Sequence, residues 1–182
     1  MKIRSAVVVV PLVLSAVPFA TVAQAVPASR HCVAVAESSR TTCHLTFTEA
    51  MRQATGGAVT DAPAQVSGRE VAALRSRLQS SAATRAVAGK WLGTAFEHAV
   101  FKGETLTFIT MGESPVCENN LRFDFPRLDD YGFNDRISSM ETGMYCVARL
   151  HEHAGFQGAS DVAYLRTNLN TFNDRASSIR FA

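Results

Sequence analysis

Two short stretches of this chain, FNDRISSM at 133–140 and FNDRASSI at 172–179, share six of their eight residues. In each, an Asn-Asp pair is followed two residues later by a Ser-Ser pair, so that amide, carboxylate and hydroxyl oxygens lie close together in the chain. Such oxygens are the ligands of hard cations like Ca²⁺, which takes about six to eight of them. Asn, Asp and Ser also form turns by bonding to their own backbone, and a single copy would favour that simpler interpretation.

The two stretches belong to a longer internal repeat. Residues 96–103 (FEHAVFKG) and 151–158 (HEHAGFQG) match at Glu, His, Ala, Phe and Gly, and each precedes one of the Asn-Asp stretches. Each half therefore runs from Glu-His-Ala-x-Phe-x-Gly through β-type segments to Asn-Asp-Arg-x-Ser-Ser, which indicates a duplication. The first half is longer by 16 residues, and its extra length holds Cys117 and the polar segment 118–131.

This order of residues resembles the microbial βγ-crystallin pattern of two consecutive Greek keys, each with an Asn/Asp-Asn/Asp-x-x-Ser/Thr-Ser calcium motif. The resemblance covers about residues 91–182 and implies a mainly β fold, a double Greek-key β-sandwich. Greek key 1 would span about 91–140 and Greek key 2 about 145–182.

The same resemblance implies two Ca²⁺ sites of modest affinity, formed by an exchange of ligands between the motifs. Arg side chains at two of the implied carbonyl ligands would weaken binding without obstructing it. The implied ligands are the backbone carbonyls of Glu97, Arg136, Glu152 and Arg175, together with Asn134, Asp135, Ser138, Asn173, Asp174 and Ser177.

The residues before the repeat differ in character and are typical of a small α+β region. Segments 32–36 and 43–47 have the composition of two short strands joined by a polar turn. Thr46 and Glu49 form a capping box, which predicts a helix that ends at Gly56-Gly57.

A second helix is predicted further along. Ser67 and Glu70 form another capping box, and Val71, Leu74 and Leu78 share one helical face, which is typical of a packing stripe. From residue 90 onward the helical period disappears, and short β-type runs such as TLTFIT, MYCVARL and DVAYL follow one another.

These changes of composition divide the chain into four segments. We assign 1–25 to a signal peptide, 26–57 to a disulfide-containing strand-strand-helix region, 58–89 to a linker and helix, and 90–182 to the βγ-crystallin-like domain.

The first segment predicts export. Residues 1–25 combine a basic start, the apolar stretch 5–22 and a small-x-small cleavage site at Ala23–Ala25. Pro11 and Pro18 interrupt a stretch that is already short for a bilayer span. We therefore expect a secreted, extracellular protein without a membrane anchor.

Charge argues against nucleic acid as a partner. The whole chain has a formal net charge of +2, and the signal segment carries both Lys2 and Arg4 without any acid, so the remainder is formally neutral. No run of basic residues interrupts that balance, whereas nucleic-acid binding needs a clustered basic face.

The four cysteines are Cys32, Cys43, Cys117 and Cys146. An even number in an exported chain indicates disulfides, and the absence of Cys-x-x-Cys disfavours zinc. Three pairings are possible. We favour Cys32–Cys43 and Cys117–Cys146, because each pair lies within its own compositional region.

No pattern assembles a catalytic site. HEHAG at 151–155 lacks the second histidine of a helical zinc motif, because residue 155 is Gly155. His151 and His153 alternate and would share one face of a strand. GESPV at 112–116 lacks the second glycine of a nucleophile elbow. We therefore expect a non-enzymatic, monomeric protein whose partner is calcium.

An alternative function rests on the arrangement of the whole chain. A signal peptide, a small Cys-bearing region and a crystallin-like domain are similar to exported actinobacterial proteins grouped as crystallin-like peptidase inhibitors. Segment 112–131, tethered at Cys117, would suit an inhibitory loop against a secreted metalloprotease, since preorganisation lowers the cost of binding. It could equally do no more than bridge two strands.

Overall fold

The computed structural model describes residues 30–80, 91–111, 117, 121–143 and 145–182, and within these ranges the chain forms ten strands and two α-helices. The predicted signal peptide, residues 1–25, lies outside them, as does most of segment 112–120. None of the described helices has the length and apolar character needed to cross a membrane. The elements are β1 (His31–Val35), β2 (Arg40–His44), α1 (Phe47–Ala54), α2 (Gly68–Ser80), β3 (Trp91–His98), β4 (Lys102–Ile109), β5 (Phe123–Phe125), β6 (Ser139–Thr142), β7 (Val147–His153), β8 (Gln157–Tyr164), β9 (Arg166–Asn168) and β10 (Ser178–Phe181).

The strands form two sheets, ordered β2-β1-β4-β3-β6-β9 and β5-β10-β7-β8. In each repeat the first strand lies between the second and the fourth, as β4-β3-β6 and as β8-β7-β10. The third strand crosses to the opposite sheet, so β5 pairs with β10 and β9 pairs with β6. A fourth strand that returns beside the first defines a Greek key. The predicted double Greek-key sandwich is confirmed, and the two repeats exchange their third strands.

The main core lies between the two sheets and takes residues from both repeats. At its centre the rings of Phe108, Phe125 and Phe181 lie within 4.7–6.0 Å of one another in edge or tilted contacts. Such pairs contribute about 0.5–1.5 kcal/mol each beyond their burial. Because Phe125 comes from β5 and Phe181 from β10, this cluster holds the exchanged third strand of the first repeat in place.

The N-terminal hairpin extends the first sheet. β1 pairs with β4 in parallel, with Cys32 opposite Leu106, and β2 pairs with β1 in antiparallel register. Composition placed this hairpin in a segment of its own, and the segment boundaries remain predictions. The structure adds that strands from both sides of the predicted boundary belong to one sheet.

Helices α1 and α2 cover the outer face of the first sheet. The predicted N-cap of α1 is present, since Thr46 Oγ1 accepts a hydrogen bond from the backbone N–H of Glu49, and Glu49 Oε2 accepts one from the Thr46 hydroxyl. Gly56 and Gly57 follow the end of α1 with φ of 58° and 89°. Val71 and Leu74 of α2 are buried as predicted, while the side chain of Leu78 lies outside the described residues. The second core under the helices comprises Phe47, Met51, Val59, Ala62, Val66, Val71, Leu74, Trp91, Phe96 and Phe101.

Both favoured disulfides are present. Cys32–Cys43 joins opposite residues of β1 and β2, and Cys117–Cys146 ties the extra segment of the first repeat to the start of β7. Their Cα–Cα distances are 4.0 and 5.0 Å.

Candidate cation sites between the two repeats

The two Asn-Asp turns have the same local geometry. Asp135 and Asp174 both have left-handed backbone, with φ of 52° and 53°, which Asn and Asp tolerate better than most residues. Asn134 Nδ2 donates to Asp135 Oδ2 at 2.6 Å, and Asn173 Nδ2 donates to Asp174 Oδ2 at 2.8 Å. The asparagines thus orient one oxygen of the neighbouring carboxylate and leave the other oxygen available.

The turns face each other across the repeat boundary. The N–H of Asp135 donates to the carbonyl of Ala176 at 2.9 Å, and that of Asp174 to the carbonyl of Ile137 at 3.0 Å. This reciprocal pair of backbone bonds brings the free carboxylate oxygen of each turn to the other motif.

Each aspartate consequently meets the first serine of the opposite motif. Ser138 Oγ lies 3.1 Å from Asp174 Oδ1, and Ser177 Oγ lies 3.3 Å from Asp135 Oδ1. The resemblance implies that the two motifs exchange ligands, and the observed contacts join each aspartate to the opposite motif in that way. The assignment of these residues as ligands remains a prediction.

The site that contains Ser138 gathers three oxygens around one hydroxyl hydrogen. Ser138 Oγ lies 2.6 Å from the carbonyl oxygen of Glu97 and 3.1 Å from Asp174 Oδ1. The hydroxyl has a single hydrogen, so it can satisfy only one of these two acceptors at a time. Lone pairs therefore converge, and this donor set of hydroxyl, carbonyl and carboxylate oxygens fits a hard cation such as Ca²⁺. We call this group (Glu97, Ser138, Asp174) the first site.

By the correspondence of the repeats, the second site is the group of Glu152, Ser177 and Asp135, of which the contact between Ser177 and Asp135 is observed. Its hydroxyl–carboxylate contact is longer, at 3.3 Å, and Ser177 is anchored through its backbone N–H, which donates to the carbonyl of His151 at 2.8 Å. Its observed hydroxyl and carboxylate oxygens are of the types that suit a hard cation.

The arginine of each motif binds the glutamate of its own repeat. Arg136 Nη2 lies 2.6 Å from Glu97 Oε1, and Arg175 Nη2 lies 2.7 Å from Glu152 Oε1. Each guanidinium also lies 5.3 Å from the ring centroid of the Phe three residues before it. Each arginine charge is thus partly neutralised by a glutamate, which reduces its electrostatic repulsion of a bound cation.

These ion pairs keep the glutamates charged. Burial alone would raise the pKa of Glu97, but hydrogen bonds from Arg136 and from the N–H of Glu104 outweigh it and lower the pKa. The hydrogen bond from Arg175 lowers the pKa of Glu152 in the same way. Both side chains are engaged with arginine, which is compatible with ligation through the glutamate carbonyls rather than through the carboxylates.

Sequence reasoning missed the role of the second serine in each motif. Ser139 Oγ accepts from the N–H of Phe101 and donates to the carbonyl of His98, and Ser178 Oγ makes the same two bonds to Phe156 and His153. Each serine pins the hairpin that carries the glutamate carbonyl. The sequence signal for this role was the presence of two adjacent serines in both copies, since one hydroxyl per motif is enough for a ligand.

The expectation that His151 and His153 share a face is wrong. A β-bulge separates them, so His151 is buried and His153 is exposed. An equivalent bulge separates Phe96 from His98 in the first repeat. In the described part of the chain no three His, Cys, Asp or Glu side chains come together as a metal-binding group. The oxygens gathered at the first site come from one hydroxyl, one backbone carbonyl and one carboxylate.

Comparison with known proteins gives matches to solved structures only. No protein-family model matches the chain, and no curated protein matches it. A βγ-crystallin domain from Clostridium beijerinckii is 17% identical and is aligned over 50% of this chain and 95% of its own, with a TM-score of 0.39. A βγ-crystallin domain from Flavobacterium johnsoniae is 26% identical over 50% and 93%, with a TM-score of 0.37. A βγ-crystallin from Ciona intestinalis is 23% identical over 48% and 94%, with a TM-score of 0.36. Each match spans about half of this chain, and the fold is defined here by the strand order of the chain itself.

Proposed function

We propose that this protein is a secreted, non-enzymatic calcium-binding protein that holds two Ca²⁺ ions between its paired Greek keys. The observation that carries the proposal is the crossed arrangement of Asp174 beside Ser138 and of Asp135 beside Ser177. Two independent turns would not require this crossed arrangement, because Asn, Asp and Ser side chains can form hydrogen bonds with the backbone of their own turn.

The donor set favours Ca²⁺ over a transition metal. Each site offers one carboxylate oxygen from the opposite motif and one hydroxyl, the first site adds the carbonyl of Glu97, and these contacts involve no thiolate or imidazole. Hard oxygen donors suit Ca²⁺, whereas zinc selects nitrogen and sulfur. With a single carboxylate per site, we expect a Kd in the range of extracellular modules, about 10⁻⁴–10⁻³ M, or about tenfold tighter.

The cysteines support the extracellular location. Both disulfides join residues within the folded region, and the described residues contain no free cysteine. Disulfides of this kind persist in oxidising compartments. Extracellular fluids are also where calcium is abundant enough to occupy sites of modest affinity.

Thermal melting with calcium and with chelator tests the proposal. A ligand that binds only the native state at 100 times its Kd adds about 2.7 kcal/mol per site, so the wild-type melting temperature should rise with calcium. Asp135→Ala together with Asp174→Ala should abolish this rise. The comparison is between calcium and chelator for each variant, because alanine in a left-handed position costs about 1 kcal/mol in either condition.

Asp161→Ala is the matched control, since this aspartate lies on β8, away from both motifs in sequence, and its carboxylate accepts a hydrogen bond from the N–H of Val162. It should keep the full calcium response. A calcium-dependent rise that survives the double substitution, or wild-type protein that gives no heat on titration with millimolar calcium, would refute the proposal.

A second candidate function is inhibition of a secreted peptidase on the same scaffold. The specific observation is that large exposed apolar side chains lie close in sequence to the Cys117–Cys146 disulfide: Tyr145 and Val147 flank Cys146, and Leu121 follows Cys117 by four residues. Aromatic residues next to a covalently tethered segment are typical of protein-binding surfaces. A panel of secreted metallo- and serine proteases tests this, and inhibition should be lost when segment 112–131 is cleaved. Unchanged inhibition after cleavage would place the inhibitory surface elsewhere.

A further inference from the structure

Among the positions at which the two repeats differ, one lies next to the ion pairs of the cation sites. The N–H of Glu104 donates to Glu97 Oε2 at 3.3 Å, and the N–H of Ala159 donates to Glu152 Oε2 at 3.4 Å. Glu104 and Ala159 therefore occupy equivalent places after the glycine of each hairpin. The first repeat has a carboxylate there and the second repeat has a methyl group.

Glu104 is directed at the arginine of the first motif. Its Oε2 lies 2.9 Å from Arg136 Nη2, the same nitrogen that binds Glu97 at 2.6 Å. In the second repeat Arg175 has Glu152 as its carboxylate partner, at 2.7 Å. The Arg136 guanidinium beside the first site thus contacts two carboxylates, whereas the Arg175 guanidinium beside the second site contacts one.

The N-terminal hairpin holds Glu104 in position. The N–H of Arg30, immediately before β1, donates to Glu104 Oε1 at 3.2 Å. The Arg30 guanidinium lies farther away, with Nε at 3.7 Å, and its side chain is 58% exposed against 18% for Glu104. Water screens an exposed charge more than a buried one, so Arg30 offsets little of the Glu104 charge.

The surroundings of the first site also screen its charges less. The side chains of Arg136 and Arg175 are 30% and 45% exposed. An additional negative charge in this less exposed environment favours a bound cation. It also fixes Arg136, whose backbone carbonyl is one of the implied ligands, from two sides.

We propose that the two calcium sites are unequal, and that Glu104 makes the first site the tighter one. This inference rests on the proposed calcium function. Glu104 acts as a positioning and charge-setting residue for the site through Arg136, and it is not itself a ligand.

Variants with one site allow each affinity to be measured separately. Because each aspartate serves the site of the opposite motif, Asp135→Ala leaves the first site intact and Asp174→Ala leaves the second. Titration calorimetry of the full chain with calcium chloride should show tighter binding for Asp135→Ala than for Asp174→Ala.

Two reciprocal substitutions then test the role of Glu104. Glu104→Gln in the Asp135→Ala background should weaken calcium binding by about threefold, which corresponds to a partly exposed charge. Ala159→Glu in the Asp174→Ala background should tighten binding by a similar factor. Glu104→Gln in the Asp174→Ala background is the matched control and should leave the affinity unchanged.

The outcomes separate this inference from the proposed function. Equal affinities in the single-site variants, together with no effect of Glu104→Gln, would overturn the inference and leave the calcium function standing. Wild-type protein that binds no calcium would overturn both. If melting in chelator shows that Glu104→Gln does not fold, Ala159→Glu decides alone, because it adds a charge without removing a native contact.

Discussion

At the scale of single residues, Asp135 and Asp174 each have two tasks. One carboxylate oxygen accepts a hydrogen bond from the preceding asparagine, and the other reaches the serine of the opposite motif. Both aspartates have left-handed backbone, with φ of 52° and 53°, so the two turns have the same local geometry. The crossed contacts therefore require both motifs.

The crossed pairing predicts which substitutions act on the same site. Ser138→Ala and Asp174→Ala both remove oxygens from the first site, so the double variant should lose no more calcium-binding heat than Asp174→Ala alone. Ser138→Ala combined with Asp135→Ala instead removes one ligand from each site, so this variant should lose nearly all of the calcium-binding heat. Calorimetric titration of the four proteins distinguishes these cases. Strict additivity in the Ser138 and Asp174 pair would show that the two residues do not share an ion.

Glu141 on β6 predicts a pH dependence of stability. It is 1% exposed, with Arg75 Nη2 of α2 at 2.5 Å and Arg166 Nε of β9 at 3.4 Å. Burial raises the pKa of Glu141 to about 7, despite the opposing effect of both arginines. An unfolded glutamate titrates near pH 4.3, so the folded protein binds this proton more tightly between about pH 4.3 and 7. Stability from Glu141 is therefore complete below that interval and is lost as the pH rises through it.

Glu141→Gln cannot titrate, and the stability difference between wild type and this variant should fall as the pH rises from about 4.3 to 7. Urea unfolding at several pH values measures it. Wild type must be compared with the variant because burial also lowers the pKa of His31 and of His151. These two histidines make stability rise with pH in an overlapping range, and the comparison cancels their contribution. A difference that rises with pH would show that the arginines dominate and that Glu141 is ionised throughout.

At the scale of elements, α2 is attached to the sandwich at its first residue. Arg166 Nη2 of β9 donates to the carbonyl of Gly68 at 2.5 Å, and its guanidinium stacks 4.4 Å from the ring centroid of Phe101. A Cβ at Gly68 would lie 2.9 Å from Arg166 Nη2 and 3.2 Å from the Phe101 ring. The absence of a side chain at Gly68 therefore permits this contact.

Gly68→Ala should destabilise the protein by about 1 kcal/mol, because overpacking of the contact outweighs the better helix propensity of alanine. Urea unfolding measures the change. If the clash acts through Arg166, then Gly68→Ala should cost less in an Arg166→Ala background than in the wild type. An equal cost in both backgrounds would place the conflict at Phe101 or at the backbone instead.

Local signals made several elements predictable. The residues Thr46 and Glu49 specified the start of α1, and the resemblance of the duplicated pattern to βγ-crystallin motifs predicted the two Greek keys. The parallel pairing of β1 with β4 was not predictable, because it joins residues more than 70 positions apart and follows a change in composition that suggests a boundary. The role of Glu104 was hidden for the same reason, since its partners Arg30 and Arg136 are distant in sequence and meet only in the folded chain.

At the scale of the whole molecule, the two outer faces of the sandwich differ. The outer face of the first sheet carries Trp91, Phe96 and Phe101, all buried beneath α1, α2 and the segment between them. The outer face of the second sheet exposes Val162 and Tyr164 to solvent. The N-terminal region is therefore the third layer of the described structure, and it also covers the edge of β4 by pairing it with β1.

This layering predicts that residues 90–182 depend on residues 26–89. Full burial of one large apolar side chain contributes about 1.5–3 kcal/mol, so exposing three aromatic residues removes several kcal/mol. That loss is comparable with the entire stability of a small domain, about 5–15 kcal/mol. The free edge of β4 would also be open to pairing with other chains. We expect the 90–182 fragment to unfold at lower urea concentration than 26–182 and to associate in analytical ultracentrifugation, with calcium or with chelator.

A 90–182 fragment with Phe96→Ser and Phe101→Ser separates the two causes of this behaviour. It removes exposed apolar surface but leaves the edge of β4 unpaired, so association that persists in this variant would come from the edge. Association that disappears would come from the aromatic face. A fragment of wild-type sequence that stays monomeric and unfolds at the same urea concentration as 26–182 would contradict the third-layer interpretation, because the helices would then contribute nothing to the stability of the sandwich.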